Sequence, residues 1–382
     1  MMSNASKREY LKELKKKYYR ANKKRKTQLL DDFCEFAGYH RKAALRLVNN
    51  PLPRERKRSK TRQKKYSMET IEAVKLLWRA SGEICAERLY PFMSELLKRL
   101  IVHNQLEVSP ETKEQLCKIS LGKVKDIIAH TKRRSFVKIG GLTKPGSIIK
   151  SQIALRYGRW EEKEPGWLET DTVGHSGGNL KGEFIYSLNM IDVASGWSEQ
   201  AAIWGKSERA TTKQIDRIRK RLPFAMKGID PDNGGEFINW QMHRYCKKNQ
   251  ITFTRAREYH PNDQAHVEQK NYTAIRKLLG YGRLDKKDQQ ALMNSLYENE
   301  WRLYLNFFQP TLKLKKKVKN LQTGKCQKTY YKAQTPYQRL MKSRHISKAQ
   351  KLLLKSIYNE LDPIRLRHEI DRKTELIRRT LK

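Results

Sequence analysis

The sequence predicts a mixed α/β sheet with helices on its faces, preceded by an all-helical, strongly basic region. Three observations carry this. From residue 167, "WLETDTV", "EFIYSLNMIDV" and "GWSEQAAIW" are rich in β-branched and aromatic residues and give three consecutive strands, after which helical and strand patterns alternate. Before residue 135 the apolar residues recur at helical spacing. The 382 residues carry 82 Lys and Arg against 40 Asp and Glu, a formal net charge of +42.

That charge calls for a polyanionic partner. No run of 18 or more apolar residues occurs, and no basic helix has a broad apolar face with aromatic anchors, so nucleic acid is favoured over a membrane. The opening "MMSNASKREYLKELKKK" has no apolar signal core, and the expectation is a soluble, cytoplasmic protein. Cys34, Cys85, Cys117, Cys246 and Cys326 are widely spaced and odd in number, which points to reduced thiols rather than a zinc knuckle or a disulfide framework.

Residues 1–50 form the first unit. Leu29, Leu30, Phe33 and Phe36 define a helix, Ala37-Gly38-Tyr39 a turn, and "HRKAALRLV" a second helix. This is a helix-turn-helix pattern, with Ala43, Ala44 and Leu47 inward and Arg41, Lys42 and Arg46 outward toward DNA. Residues 51–66, "PLPRERKRSKTRQKKY", are a basic linker suited to a phosphate backbone. Residues 67–134 return to helix. Ile71, Val74 and Leu77 give one stripe, and Leu89, Phe92, Leu96 and Leu100 another. "SPET" starts a helix with Ser109 as its cap and Pro110 at its first position. "LGKVKDIIAHTKRR" then follows, with Val124, Ile127 and Ile128 inward and Lys123 and Lys125 outward, making a second DNA-binding candidate. Residues 135–165 are a connector.

The α/β core spans 166–285. After the three strands come a helix ("SERATTKQIDRIRKRL"), a strand ("FAMKGID"), a helix ("EFINWQMHRYCKKN"), a strand ("ITFTR") and a helix ("QAHVEQKNYTAIRKLLG"). Residues 286–382 read as a basic, mostly helical C-terminal region.

Within the core, three carboxylates sit at informative places. Asp171 lies inside the first strand, where an unpaired charge would be costly unless it faced a cleft. Asp232 follows the fourth strand at an Asn-Gly-Gly turn that lets the backbone run close by. Glu268 opens the last core helix, with 35 residues, 233–267, between it and Asp232. Carboxylates from separate elements suit Mg²⁺ or Mn²⁺, which take oxygen ligands and keep positions open for phosphates. Two such ions can serve the attacking and leaving oxygens of one displacement. Asp230 competes with Asp232 for the second place, and Glu169 shares a strand face with Asp171. Asp192 reads as a turn carboxylate, and Glu236 as a charge at a helix N-terminus. His266 points away from Glu268, and Trp197 and Trp204 read as core. Asn262, Gln269 and Lys270 are placed to touch DNA near the site.

"LETDTV", "DPDNGGEF" and "YHPNDQAHVEQKN" together resemble the catalytic core of the D-D-E transposase and retroviral integrase superfamily. "LTKPGS", "NFFQP" and "TPYQRL" look like the flanks of bacterial insertion-sequence transposases. The resemblance implies a ribonuclease-H-like core with a five-stranded mixed sheet, and a triad of Asp171, Asp232 and Glu268 that binds metal, two ions per site. It implies cleavage at transposon ends and transfer of the 3′-OH into target double-stranded DNA, by a homo-oligomer assembled on that DNA. No zinc-binding His-His-Cys-Cys domain is present, so end recognition falls to the helix-turn-helix units. Two rivals stay open at this point: a ribonuclease-H-like nuclease that only hydrolyses, and a helix-turn-helix regulator with an inactive core.

Overall fold

The computed structural model describes residues 4–51, 65–131, 154–155, 164–232, 234–255, 265–319, 324 and 326–379. Most of the basic linker and of the connector at 135–165 lie outside the described residues, as do Asn233 and Asn262. The chain forms two compact units, Met1–Lys65 and Tyr66–Lys382.

The first unit is three helices, α1 (Asn4–Arg20), α2 (Lys23–Ala37) and α3 (Arg41–Asn49). Asn22 caps α2 by accepting from the Arg25 N–H, and Gly38 ends it at φ 71°, the left-handed conformation that glycine adopts without penalty. Leu11, Leu14, Leu29, Leu30, Phe33, Ala37, Ala44 and Val48 form the core. Phe36 departs from the expected stripe: it is exposed, and Ala37, four residues from Phe33, takes the inward place.

The second unit begins with α4 (Met68–Ala80), α5 (Ala86–Leu89), α6 (Met93–Val102), α7 (Pro110–Lys118) and α8 (Leu121–Thr131). Ser109 caps α7 as expected, accepting from the Thr112 N–H. Glu69, in the first turn of α4, accepts from the Ser109 N–H and hydroxyl at 2.8 and 2.7 Å, tying the two helix starts together.

The sheet comprises β1 (Ala154–Leu155), β2 (Trp167–Gly174), β3 (Ile185–Asp192), β4 (Ser198–Trp204), β5 (Gly228–Pro231) and β6 (Thr252–Arg255), in the order β1-β6-β5-β2-β3-β4. The meander β2-β3-β4 is antiparallel, while β5 runs parallel to β2 and β6 parallel to β5. This is the five-stranded mixed sheet that the sequence predicts, with the two-residue β1 added parallel at the β6 edge. Helices α9 (Glu208–Arg221) and α10 (Trp240–Lys248) are the crossovers. They pack on the face that carries Leu168, Leu188, Met190, Ala201, Ile203 and Ile229. The opposite face is covered by helices that follow: α11 (Ala265–Lys270), which continues through a wider π turn at Asn271–Arg276 into α12 (Lys277–Leu279), α13 (Lys287–Leu296) and α14 (Arg302–Phe308).

The C-terminal region, read from the sequence as mostly helical, carries an element besides helix. It holds an antiparallel ribbon, β7 (Leu314–Lys319) and β8 (Cys326–Tyr330), before α15 (Pro336–Lys342), α16 (Lys348–Glu360) and α17 (Pro363–Arg379). The helical region at 67–134 does not stand apart either. Its buried residues share one core with Tyr304, Phe307, Phe308, Tyr358 and Ile370. Tyr304 donates to the Ala80 carbonyl at 2.8 Å, and Arg99 to the Asn359 and Leu361 carbonyls at 2.7 and 3.1 Å. Local periodicity marks which face of a helix is apolar, not which distant element covers it.

Candidate active site

β2 and β5 are adjacent and parallel, with Glu169 opposite Asp230 and Thr170 opposite Pro231. Asp171 and Asp232 each lie one residue past that last pair, at the C-terminal side of the parallel strands, where open α/β sheets present their sites. Strand alternation puts Asp171 on the face of Glu169 and Val173, the face that α11 covers.

Each neighbour of Asp171 restricts it. One carboxylate oxygen accepts from the Thr172 N–H at 2.7 Å, the other from the Asn271 amide at 2.6 Å. The Asn271 oxygen in turn accepts from Asn189 on β3 at 2.8 Å, and the Asn189 oxygen accepts from Gln200 on β4 at 3.0 Å. A line of amides across the sheet thus orients the carboxylate. Glu169 is fully buried and accepts the Val267 N–H at 3.0 Å. It therefore anchors the first turn of α11, the turn that carries Glu268.

Asp232 accepts the Gly234 N–H at 3.1 Å. A Cβ at Gly234 would stand 2.7 Å from a Glu236 carboxylate oxygen and 3.0 Å from an Asp232 oxygen, so glycine is needed for this approach. Glu236 is not the exposed helix-start charge that its place in the sequence suggested. α10 begins only at Trp240, capped by Asn239, and Glu236 is buried in the carboxylate cluster. It accepts the Thr172 hydroxyl at 2.8 Å and pairs with Lys206 at 2.9 Å.

The electrostatics follow from this crowding. Burial raises Asp171, opposed by its Asn271 and Thr172 hydrogen bonds and reinforced by Glu236. Burial, then the charges of Asp171 and Glu236, pushes Asp232 up to about 7. Glu268, exposed on α11, is raised by partial desolvation and by Asp171. Burial would lower Lys206, but Glu236, with Tyr186 and Asp232, carries it above its ordinary value. Asp171 thus acts on both Asp232 and Glu268, and all three hold protons more tightly than ordinary carboxylates. Among the described residues, no group of three His, Cys, Asp or Glu side chains is arranged to hold a metal ion as it stands. The donor chemistry nonetheless suits a hard divalent cation: the donors are all carboxylate oxygens, and their mutual repulsion is what such a cation offsets.

The other expected residues are placed as follows. Asp230 is fully buried and accepts the Thr254 hydroxyl at 2.6 Å. Asp192 organises the β3–β4 turn, accepting from the Gly166 N–H and from the N–H and hydroxyl of Ser195. Trp197 is buried, while Trp204 is partly exposed with Lys287 3.7 Å above its ring. The His266 side chain lies outside the described residues. Gln269 and Lys270 line a cavity of about 850 Å³ shared with Arg88, Lys313 and Arg339. Desolvation there, with the charges of Arg88 and Arg339, lowers the Lys270 amine to about 7. Arg41, Lys42 and Arg46 are exposed on α3, where Arg41 pairs with Asp31. On α8, Lys123 is half-buried and Lys125 pairs with Glu87 of α5 at 2.8 Å. Sequence reasoning missed Lys206, Glu236 and Asn271 as members of the site. Only Glu236 had a signal, a second carboxylate inside "DNGGEF".

Strand order and helix placement give a ribonuclease-H-like fold, and the match to the integrase core domain makes this an integrase- or transposase-type protein of the polynucleotidyl transferase class. Residues 161–261 match the family model of the integrase core domain. The chain is 32% identical over 321 residues to the uncharacterized protein y4rM of Sinorhizobium fredii (strain NBRC 101917 / NGR234), covering 83% of this chain and 91% of that protein, and it belongs to that family. Among solved structures, the catalytic core domain of BIV integrase is 18% identical and covers 46% of this chain and 95% of that one, with a TM-score of 0.31. A simian T-cell lymphotropic virus intasome in complex with PP2A regulatory subunit B56 gamma is 15% identical and covers 43% and 54%, with a TM-score of 0.28. Among the described residues, no helix is long and apolar enough to cross a membrane.

Proposed function

We propose that this chain is the transposase of a bacterial insertion sequence, acting on DNA in the cytoplasm. Asp171, Asp232 and Glu268 are its catalytic carboxylates and would hold Mg²⁺ or Mn²⁺, two ions per site. The observation that carries the reading is the placement of Asp171 and Asp232 side by side at the C-terminal side of β2 and β5, with Asp171 raising both Asp232 and Glu268. When bound, the metal would supply charge for the attacking and leaving oxygens of an in-line displacement at phosphorus.

The chain's own residues prepare the site. Asn271 and Thr172 hold Asp171 in one orientation. Glu169 fixes the start of α11, the helix that carries Glu268. Lys206 pairs directly with Glu236 and only weakly offsets Asp171 and Asp232, which burial and neighbouring carboxylates still raise. In the first step water attacks the phosphodiester at the element's end and frees a 3′-OH. In the second that 3′-OH attacks a target phosphodiester. Each subunit would act on one end, so the working form is at least a dimer on DNA. End recognition is assigned to the first unit through Arg41, Lys42 and Arg46, and to α8 through Lys123 and Lys125, with Lys270 near the site.

A joining assay with a pre-cut element end tests this. The native chain with Mg²⁺ should insert the end into a target duplex. Hydrolysis without joining would replace the reading with a nuclease, and binding without either reaction with a regulator. Changing Arg41, Lys42 and Arg46 together to Ala should abolish preference for element ends over random duplex. Retained preference would move readout to α8.

A further inference from the structure

The ribbon β7–β8 has no role in the chemistry above, and nothing in the core accounts for its composition. Residues 309–335 contain eight lysines and no Asp or Glu. From Leu314 to Val318 and from Cys326 to Tyr330 every residue is exposed, so the two strands bury neither face. A two-stranded ribbon of that kind is at best marginal in water. Its base, by contrast, is fixed to the body. Thr311 donates its N–H to Gln334 at 2.8 Å, and Arg339 clamps the Thr311 carbonyl and hydroxyl at 2.5 and 2.7 Å. The result is an arm about 20 Å long on a rigid base.

The register places the charges. Lys317 lies directly opposite Lys328, a like-charge pair on one face that weakens the ribbon in the absence of an anion. Lys316, opposite Thr329, is on the other face with Val318 and Gln327. A ribbon resting on a flat anionic surface would need lysines on one face only. Lysines on both faces suit a groove whose two walls are phosphate strands, and the major groove admits a two-stranded ribbon. Tyr330 and Tyr331 are exposed at the foot of the arm, with Lys315 5.8 Å above the Tyr331 ring.

We infer that β7–β8 is a DNA-gripping arm that lies in a groove of duplex DNA, with Lys317 and Lys328 on one phosphate wall and Lys316 on the other. The inference rests on the proposed action on DNA but concerns a surface separate from the carboxylate site. Its affinity is independent of base sequence, because lysines reach phosphates, and it serves target as well as element DNA.

The test compares two full-length triple variants of equal charge change. One carries Lys316→Gln, Lys317→Gln and Lys328→Gln. The control carries Lys247→Gln, Lys248→Gln and Lys355→Gln, at exposed positions on α10 and α16. Binding to a random-sequence duplex is measured across a salt series. Three lost phosphate contacts should flatten the salt slope by about 2.7 and weaken binding roughly a hundredfold near physiological salt. The control should move much less. Equal changes in both variants would overturn the inference, and a greater loss for single strands than for duplex would overturn the duplex assignment. A second readout uses exposed Cys326, at the end of β8. With Cys34, Cys85 and Cys117 changed to Ser, a thiol-tethered duplex should form a disulfide with Cys326, and failure to do so counts against the arm. Native protein that joins ends while the arm triple matches the control would sink this inference alone. Native protein that neither binds nor joins DNA would sink the proposed function beneath it.

Discussion

The sheet buries two kinds of carboxylate. Glu199 and Asp192 are each fully buried and each surrounded by donors. Glu199 accepts the Trp197 indole N–H at 2.9 Å and pairs with Arg221 and Arg302 at 2.6 and 3.1 Å, while Asp192 collects two donors from Ser195 in its own turn and a third from the Gly166 N–H. Asp171 and Asp232 instead have backbone and amide donors, with Lys206 acting on them from its pair with Glu236, and each is raised in part by a neighbouring carboxylate. Burial is common to both kinds. What separates them is the partner: a cation or a ring of donors in one, another acid in the other. The first kind is structural, and on the proposed function the second is where a charge arriving with the substrate or its metal would be taken up.

The largest expected effect lies in the second kind. Asp171→Asn, Asp232→Asn and Glu268→Gln should each lower joining at least about a thousandfold, or about 4 kcal/mol in the barrier, with DNA binding unchanged. Each substitution removes charge and little volume. A variant that still joins ends with Mg²⁺ would leave the triad.

Glu199→Gln should show the opposite pattern. It leaves the half-buried Arg302 without the carboxylate it pairs with and Arg221 with Glu298, at 3.5 Å, as its remaining carboxylate, at a cost of about 3 kcal/mol. Urea unfolding should report that loss, while joining measured below the transition falls only with the folded fraction. Unchanged stability would mean that the two kinds of carboxylate are not distinct.

Asp232 offers a subtler contrast through pH. Its folded pKa, about 7, lies above the ordinary carboxylate value. Ionising it therefore costs the folded state stability, and that cost grows as pH rises from about 4 toward 7. In the absence of divalent ions, Asp232→Asn should raise the melting temperature at pH 8 and leave it unchanged at pH 4. Mg²⁺ should stabilise the native chain more at pH 8 than at pH 5, where it competes with a proton, and should not stabilise the Asn variant. Calorimetry at these pH values decides it. Equal stabilisation of both proteins by Mg²⁺ would place the ion elsewhere.

The strands, the crossovers and the positions of Asp171, Asp232 and Glu268 were legible because each rests on local pattern: β-rich runs, a glycine turn, a helix start and a spacing. Lys206 and Asn271 were not legible. They reach the site from the end of β4 and from a π turn, and only the tertiary fold brings them to Glu236 and Asp171. Glu236 was misread because the helix start was set before the Gly-Gly turn had closed, whereas Asn239 caps α10 three residues past Glu236. The ribbon was not legible because "LKKKVK" has too few apolar residues to show either period. The helices of 67–134 were separated from the body for the same reason that their faces were correctly read: periodicity is local and core sharing is not.

The smallest expected effect sits between the two kinds. Asp230 shares a strand face with Asp232, stands opposite Glu169, and competed with Asp232 for the second catalytic place. Its carboxylate accepts the Thr254 hydroxyl at 2.6 Å, which ties β5 to β6. Asn keeps an oxygen to accept that bond and changes the volume little. The net loss should be near that of one ordinary hydrogen bond, about 1 kcal/mol, and joining should stay within about threefold of native. Steady-state joining rates with matched unfolding curves test this. A thousandfold loss of joining at unchanged stability would move the second catalytic place from Asp232 to Asp230, and with it the line drawn between donor-paired and acid-paired carboxylates.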